Sequence, residues 1–178
     1  MKQANLGDIC RFEYGKSLSE KIRQPGDFSV YGSNGSVGNH SKGFTAGATI
    51  IIGRKGSIGE VHVSADSCWP IDTTYFIDST CTDCDLDWLA FCLRNLRLKE
   101  LNKASGVPGL NREDAYKQII WLPETTTQQR QIATRLKSQL AEVETARQAV
   151  QAQLQEISRL ADAIILNSVR NHPVTEYS

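Results

Sequence analysis

Residues 127 to about 168 carry one continuous seven-residue apolar repeat, which limits the fold more than any other feature of the chain. Proline and glycine are absent between Pro123 and Pro173, so the repeat predicts a single helix. At about 1.5 Å rise per residue this helix is on the order of 60 Å long. The preceding segment predicts a globule only about 35 Å across, so we expect another helix to cover much of the repeat.

The apolar positions of the repeat form one line along the predicted helix, which we name the apolar seam. It begins at Ala133, and Arg147 is its one charged member. The flanking positions carry few charges, so the sequence leaves the orientation of a partner helix open. Part of the seam could also fold back on the globule. The residues that we expect to meet a partner helix are Leu136, Leu140, Val143, Arg147, Val150, Leu154, Ile157 and Ile164.

The segment before the helix predicts a β-rich domain. Short β-branched or aromatic runs lie at 28–31, 49–52, 60–63 and 73–77, and clusters of Gly, Asn and Ser separate them. The pattern G-x-x-G-S-[V/I]-G occurs at 32–38 and again at 53–59, which predicts two similar corners in one sheet.

Helical spacing then appears from Asp85 to Leu101, with Asp85 or Asp87 available as N-cap. A loop to Arg112 and a short strand from Gln118 to Leu122 follow. Thr126 and Gln129 have the spacing of a capping box at the start of the long helix. The predicted fold is α+β: a β-rich domain at 1–124, a coiled-coil-forming helix at 125–170, and a frayed tail at 171–178.

Composition narrows the class of protein. No stretch approaches the roughly 20 apolar residues of a membrane span, and the N-terminus lacks a signal pattern, so we expect a cytoplasmic protein. Five cysteines are an odd number, which favours reduced thiols over a closed disulfide framework.

No catalytic, metal or nucleotide motif is complete. Gly15-Lys16-Ser17 ends like a phosphate-binding loop, but Cys10 stands where its first glycine is required. Cys81 and Cys84 have metal-ligand spacing without a second close pair. The three histidines and scattered serines form no hydrolase motif. The sequence therefore predicts a binding protein without a metal site, not an enzyme.

Charge is uneven although the formal net charge is zero. Two basic blocks, residues 1–62 and 94–117, flank an acidic block at 63–93. Glycine-flanked tips at 53–57 and 105–112 carry Arg, Lys, Ser and Asn, which suit DNA bases and phosphates. The alternative is that the glycines only form corners and the charges are solvated.

An ordered set of short motifs resembles the DNA-specificity (S) subunit of type I restriction–modification systems. The matching stretches are 6–9, 30–35, 50–59, 68–76, 106–112, and 122–123 with 128–132. The resemblance implies a DNA target-recognition domain followed by a long conserved helix. The family usually has two such domains and two helices, whereas this chain has one of each and resembles a half-subunit.

The resemblance implies a division of labour. A homodimer through the helix would read a bipartite palindromic site in double-stranded DNA, while modification subunits methylate adenine and a restriction subunit, if present, cuts. S-adenosylmethionine, ATP and Mg²⁺ would then bind partner subunits and not this chain. The alternatives are a fragment of a longer two-domain subunit and a helical adaptor protein that does not bind DNA. Our candidate DNA-contacting residues are Lys16, Asn34, Lys42, Arg54, Lys55, Ser57, Lys103, Ser105, Asn111 and Arg112.

Overall fold

In a computed structural model, the described part of the chain contains nine short strands, two short α-helices and one long α-helix. The structure describes residues 1–101 and 109–171, with side chains described through residue 168. The chain divides into two compact units, Met1–Ala133 and a second that begins at Thr134. The α+β class and the long carboxyl-terminal helix that the sequence predicts are confirmed.

The strands of the first unit form three small sheets. A four-stranded antiparallel sheet has the order β2-β8-β5-β6, a three-stranded sheet has the order β4-β3-β7, and β1 pairs with β9. The strands are β1 Lys2–Asn5, β2 Glu13–Tyr14, β3 Phe28–Gly32, β4 Gly35–His40, β5 Thr49–Gly53, β6 Val61–Ser64, β7 Trp69–Pro70, β8 Thr74–Ile77 and β9 Ile119–Leu122.

The core lies around the central strand β5. Ile50, Ile51 and Ile52 are each completely buried, so both faces of this strand are covered. Leu89 and Leu93 of α1 (Leu86–Asn95) belong to the same buried cluster as Ile50 and Ile52. Burial of each such side chain stabilises the fold by about 1.5–3 kcal/mol. The four-stranded sheet is therefore a rigid support for the loops at its ends.

The predicted helix from Asp85 to Leu101 is interrupted. Asp85 is the N-cap, since its Oδ1 accepts a 3.0 Å hydrogen bond from the backbone N–H of Trp88. The helix then ends at Asn95, because Arg97 adopts a positive φ of 48° that no α-helix allows. A separate 3-10 turn, Leu98–Leu101, continues the chain.

The long helix α3 (Thr126–Asn171) begins inside the first unit. Thr125 caps the helix, since its Oγ1 accepts a 3.2 Å hydrogen bond from the N–H of Gln128, and the expected Thr126–Gln129 capping box is wrong. The Oε1 of Gln128 accepts a 3.0 Å hydrogen bond from the N–H of Glu124. Gln129 is occupied elsewhere: it is 4% exposed, and its Oε1 accepts a 2.8 Å hydrogen bond from the N–H of Asp85. Ala133 is also buried, so the first position of the apolar seam packs into the domain core.

The second unit exposes the rest of the apolar seam. Every residue from 137 to 168 is exposed, and Leu136 is half-buried. Leu140, Val143 and Ile164 show 55%, 64% and 66% of their surface, as much as an isolated helix would. Within the described ranges, no helix combines the length and apolarity needed to cross a membrane.

Candidate nucleic-acid interface

Tyr14, at the end of β2, lies between two arginines of distant sequence position. The guanidinium carbons of Arg54 and Arg112 are 5.4 Å and 5.5 Å from the centre of its ring. Pairing of β2 with β8 places Tyr14 opposite Tyr75, with ring centres 5.1 Å apart. We name these four residues the Tyr14 cluster. Each cation–ring contact stabilises such an exposed arrangement by about 0.5–1 kcal/mol.

Arg54 is held in place by its backbone and its side chain. Its N–H donates to the carbonyl oxygen of Thr73 at 2.9 Å, and its Nη2 donates to the carbonyl oxygen of Asp72. Its own carbonyl oxygen accepts a 2.9 Å hydrogen bond from the N–H of Leu110. Two other segments of the chain, residues 72–73 and Leu110, therefore hold Arg54 in position.

Arg112 is the first residue of α2 (Arg112–Tyr116), a short helix that the sequence analysis treated as loop. The Oδ1 of Asn111 caps this helix through a 2.8 Å hydrogen bond from the N–H of Glu113. Five residues are too few for a visible helical period, so the Asn-x-Glu cap was the one available signal. Arg112 contacts Tyr116 as well as Tyr14, and its Nε forms a 3.5 Å ion pair with Glu113.

The two guanidiniums retain hydrogen-bonding capacity. The Nε of each is buried and has no hydrogen-bond partner among the described residues, so ring contacts help to position both groups, and any contact with a ligand uses the Nη groups. A guanidinium carries five N–H donors and stays charged throughout the physiological pH range. The cluster can therefore present oriented cationic donors to an anionic or carbonyl-rich ligand.

Tyr75 forms the neutral base of this cluster. Burial, together with the neighbouring Tyr14, raises the pKa of Tyr75 to about 12, although Arg54 and Arg112 act to lower it. The Tyr75 hydroxyl donates to the carbonyl oxygen of Leu110 at 3.2 Å. Because the phenol stays protonated near neutral pH, it does not cancel the two positive charges above it.

The two G-x-x-G-S-[V/I]-G motifs lie side by side but in different sheets, so the expectation of two corners in one sheet is wrong. The first forms the tight β3–β4 turn, and the second forms the longer β5–β6 loop. Ser33 Oγ lies 3.2 Å from where a Cβ on Gly56 would stand, and Gly56 has a φ of +76°. Asn34 is thereby placed beside the loop that carries Lys55 and Ser57.

The remaining candidates are distributed as follows. Lys16 is exposed two residues after Tyr14, and its Nζ is 4.4 Å from the centre of the Phe44 ring. Lys42 is exposed, and no contact between described residues links it to the Tyr14 cluster. Lys103 and Ser105 lie outside the described residues. Sequence reasoning missed Tyr14, Tyr75 and Phe44, because no sequence pattern relates aromatic residues to cations so distant along the chain.

The cysteines take no part in this surface. Burial raises the pKa of Cys10 and of Cys92 to about 12, which makes both thiols poor nucleophiles and poor ligands near neutral pH. Among the described residues, no group of three or more His, Cys, Asp or Glu side chains is arranged to hold a metal ion.

Solved structures share this fold. A type I restriction–modification S subunit from M. genitalium aligns with a TM-score of 0.67 and 17% identity, over 81% of this chain and 40% of that one. The HsdS subunit from Thermoanaerobacter tengcongensis aligns with a TM-score of 0.66 and 20% identity, over 95% and 44%. A chain from a study of complex assembly and conformational transition of the type I R-M system aligns with a TM-score of 0.72 and 19% identity, over 92% of this chain and 44% of that one.

This chain thus spans less than half the length of these solved chains. No curated protein sequence matches it significantly. The profile of the type I restriction modification DNA specificity domain matches residues 1–155, which include the whole first unit and more than half of α3. The chain therefore belongs to the family of type I restriction–modification DNA specificity domains.

Proposed function

We propose that the chain is a sequence-specific DNA-binding subunit of a type I restriction–modification complex. In this role residues 1–124 act as the target-recognition domain and residues 125–170 as the dimerisation helix, followed by a tail at 171–178. Two copies read the two halves of a palindromic site, separated by a spacer that is not read.

The Tyr14 cluster is the observation that carries DNA recognition. Two arginines are positioned against one exposed ring, next to a loop with Lys55 and Ser57 and a turn with Asn34. Arginine pairs with guanine O6 and N7 or with phosphate, and Asn pairs with adenine. Such a surface combines groups for base readout with groups for backbone contact. Asn111 uses its side-chain oxygen as a helix cap, which leaves its amide N–H₂ as the donor for DNA.

The exposed apolar seam supports the homodimer. Leu140, Val143 and Val150 are each more than half exposed, and burying each of them stabilises a helix pair by about 1.5–2 kcal/mol. A second copy of α3, packed antiparallel, brings like residues to both sides of a two-fold axis. The same seam in a longer two-domain subunit packs against the second helix of its own chain instead.

Catalysis in this proposal belongs to other subunits. Modification subunits methylate adenine with S-adenosylmethionine, and a restriction subunit uses ATP and Mg²⁺ to translocate and cut DNA. The helix α3 carries the modification subunits as well as the second copy. This chain contributes the sequence specificity, through contacts that require no bound cofactor.

Methylome sequencing of the host with and without the gene tests the proposal. We expect adenine methylation at one bipartite palindromic motif to disappear with the gene. Arg54→Ala and Arg112→Ala each relax or weaken recognition at one position by about 1–3 kcal/mol, while the control Lys2→Ala leaves the methylome unchanged. An unchanged methylome after deletion contradicts the proposed function, and unchanged binding by both arginine variants contradicts the contact assignment.

Analytical ultracentrifugation of the full-length natural product separates the two forms of assembly. A concentration-dependent dimer supports the half-subunit. A monomeric two-domain product, or an asymmetric motif in the methylome, identifies a longer specificity subunit. A complex with protein partners but no salt-dependent DNA binding identifies a helical adaptor.

A further inference from the structure

A second cationic surface lies on the other side of the β5–β6 loop. A cleft of about 490 Å³ is lined by Gly59, Val61 and Leu98, by the cations Arg94, Arg97 and Lys99, and by the carboxylates Glu60 and Glu100. All three cations are exposed. We name this surface the basic cleft. None of these residues was among the candidates from the sequence.

Close backbone packing builds the basic cleft. Gly59 has a φ of +73°, and a Cβ at this position would stand 2.4 Å from the backbone N of Lys99. Only glycine allows the loop to approach the 3-10 turn this closely. The side-chain Nε of Arg94 donates to the carbonyl oxygen of Val61 at 3.4 Å, which spans the cleft from the α1 side.

The loop also joins the basic cleft to the Tyr14 cluster. The N–H of Gly53 donates to the backbone carbonyl oxygen of Glu60 at 2.8 Å, and the N–H of Gly59 donates to the backbone carbonyl oxygen of Gly53 at 2.8 Å. These bonds close the segment 53–60 into one compact loop. Arg54, at its start, contacts Tyr14, and Gly59, near its end, contacts the basic cleft.

Arg97 occupies an unfavourable backbone conformation. It is the one non-glycine residue with positive φ among the described residues, at 48°. Arg97 directly follows the C-cap residue Leu96, and glycine is the usual residue at this position after a helix. A non-glycine residue there costs about 1–2 kcal/mol. Its side chain is 75% exposed and forms only a 3.6 Å surface ion pair with Glu100, which does not offset that cost.

We propose that Arg97 and Lys99, supported by Arg94, bind phosphates of the DNA backbone beside the segment that the Tyr14 cluster reads. The contact is sequence-independent: it adds affinity and fixes the register of the domain on DNA. Arginine contributes a forked donor and lysine a mobile point charge, both of which suit phosphate oxygens. This inference rests on the proposed DNA-binding function.

The test compares R97G/K99A with a matched control, K2A/K21A, in the full chain purified with the subunits that accompany it. Lys2 and Lys21 are exposed and line neither surface. Affinity is measured between 50 and 300 mM salt for a duplex with the methylated motif and for a scrambled duplex. We expect R97G/K99A to weaken both duplexes equally and to reduce the slope of log K against log salt by about 2, whereas K2A/K21A leaves it unchanged.

Glycine suits the backbone of Arg97, so the thermal midpoint of R97G/K99A should not fall, and R97K should retain the salt slope. A slope equal to that of K2A/K21A overturns the inference. Weakening confined to the methylated motif also overturns it, because the residues then read bases. A wild-type protein that binds both duplexes equally contradicts the proposed sequence specificity instead, and the slope comparison still decides whether the cleft binds phosphate.

Discussion

The backbone N–H of Leu110 donates a 2.9 Å hydrogen bond to the carbonyl oxygen of Arg54. This bond joins the segment before α2 to the loop after β5, although 56 positions separate the two residues. Both Arg112 and Arg54 contact the ring of Tyr14. The positions of the two arginines are therefore coupled through one ring, and disturbing either segment should affect both.

Substitution of Tyr14 tests this coupling. Tyr14→Phe keeps the ring and should retain DNA affinity, whereas Tyr14→Leu removes both cation–ring contacts. Two contacts of about 0.5–1 kcal/mol each predict a loss of about 5- to 30-fold. Fluorescence anisotropy with the methylated duplex measures the difference. Tyr14 is exposed, so both variants should fold as the wild type does, and circular dichroism checks this. Equal affinities for the two variants contradict the role of the ring.

Arg147 is the polar position of the apolar seam, and both its Nε and Nη2 lie 2.8 Å from carboxylate oxygens of Glu144. A polar residue at a seam position limits the register of a helix pair and costs stability. Arg147→Leu should therefore tighten the homodimer, by about 1–2 kcal/mol for the added apolar burial. Sedimentation equilibrium measures the dissociation constant, with the solvent-facing variant Arg159→Leu as control. A weaker R147L dimer shows that this position does not face the partner helix.

Gly59 and Gly47 form a matched pair for testing the close approach at the basic cleft. Both have positive φ, 73° and 91°, but a Cβ on Gly47 would meet nothing within 4 Å. Gly47→Ala should cost only about 1–2 kcal/mol for its backbone conformation. Gly59→Ala should lower the free energy of unfolding by clearly more, because its Cβ displaces Lys99. Urea denaturation compares the two, and equal losses contradict the packing described.

Alkaline pH should destabilise the protein through its buried acids. Burial raises the pKa of Cys10, Cys92 and Tyr75 to about 12, above the ordinary values of 9.0 for the thiols and 10.0 for the phenol. Below pH 9 all three groups are protonated in both states, and their contribution to stability is complete. As pH rises from about 9 towards 12, the unfolded state ionises first and stability falls.

Denaturation midpoints between pH 8 and 10.5 check this expectation. Cys10→Ala and Cys92→Ala should each flatten the decline, since the substituted chain no longer has that ionisable group. An unchanged pH slope in both variants shows that ionisation elsewhere controls alkaline unfolding.

Periodic features of this chain could be predicted from sequence, and features that depend on tertiary contact could not. The seven-residue repeat predicts α3, because its spacing matches the helical period, and the apolar run at 49–52 predicts β5, because a short apolar run indicates a buried strand. The predicted helix from Asp85 to Leu101 is too long, because the positive φ of Arg97, which the side-chain pattern does not reveal, prevents α1 from continuing. The cap of α3 is Thr125, and Gln129 instead accepts a hydrogen bond from the backbone N–H of Asp85, a tertiary contact that the sequence does not reveal.

The candidate site divides in the same way. Arg54 and Arg112 could be named because glycine-flanked tips with cations suggest DNA contact. Tyr14 could not, since its role arises from strand pairing with Tyr75 and from contacts with both arginines. Arg97 and Lys99 read as ordinary surface charges until the close approach of Gly59 defines a cleft beside them.

The burial of Gln129 and Ala133 has a practical consequence for engineering new specificities. Recombinants that exchange recognition domains need a junction within α3 but after Ala133, because a cut at residue 124 separates these two side chains from the core that they complete. A graft that ends at Ala133 transfers the domain together with the first residues of its own helix. Such hybrids should express as folded proteins. In hybrids joined at Pro123, the residues at positions 129 and 133 come from the other protein, so the hydrogen bond to Asp85 and the packing of the core are not preserved.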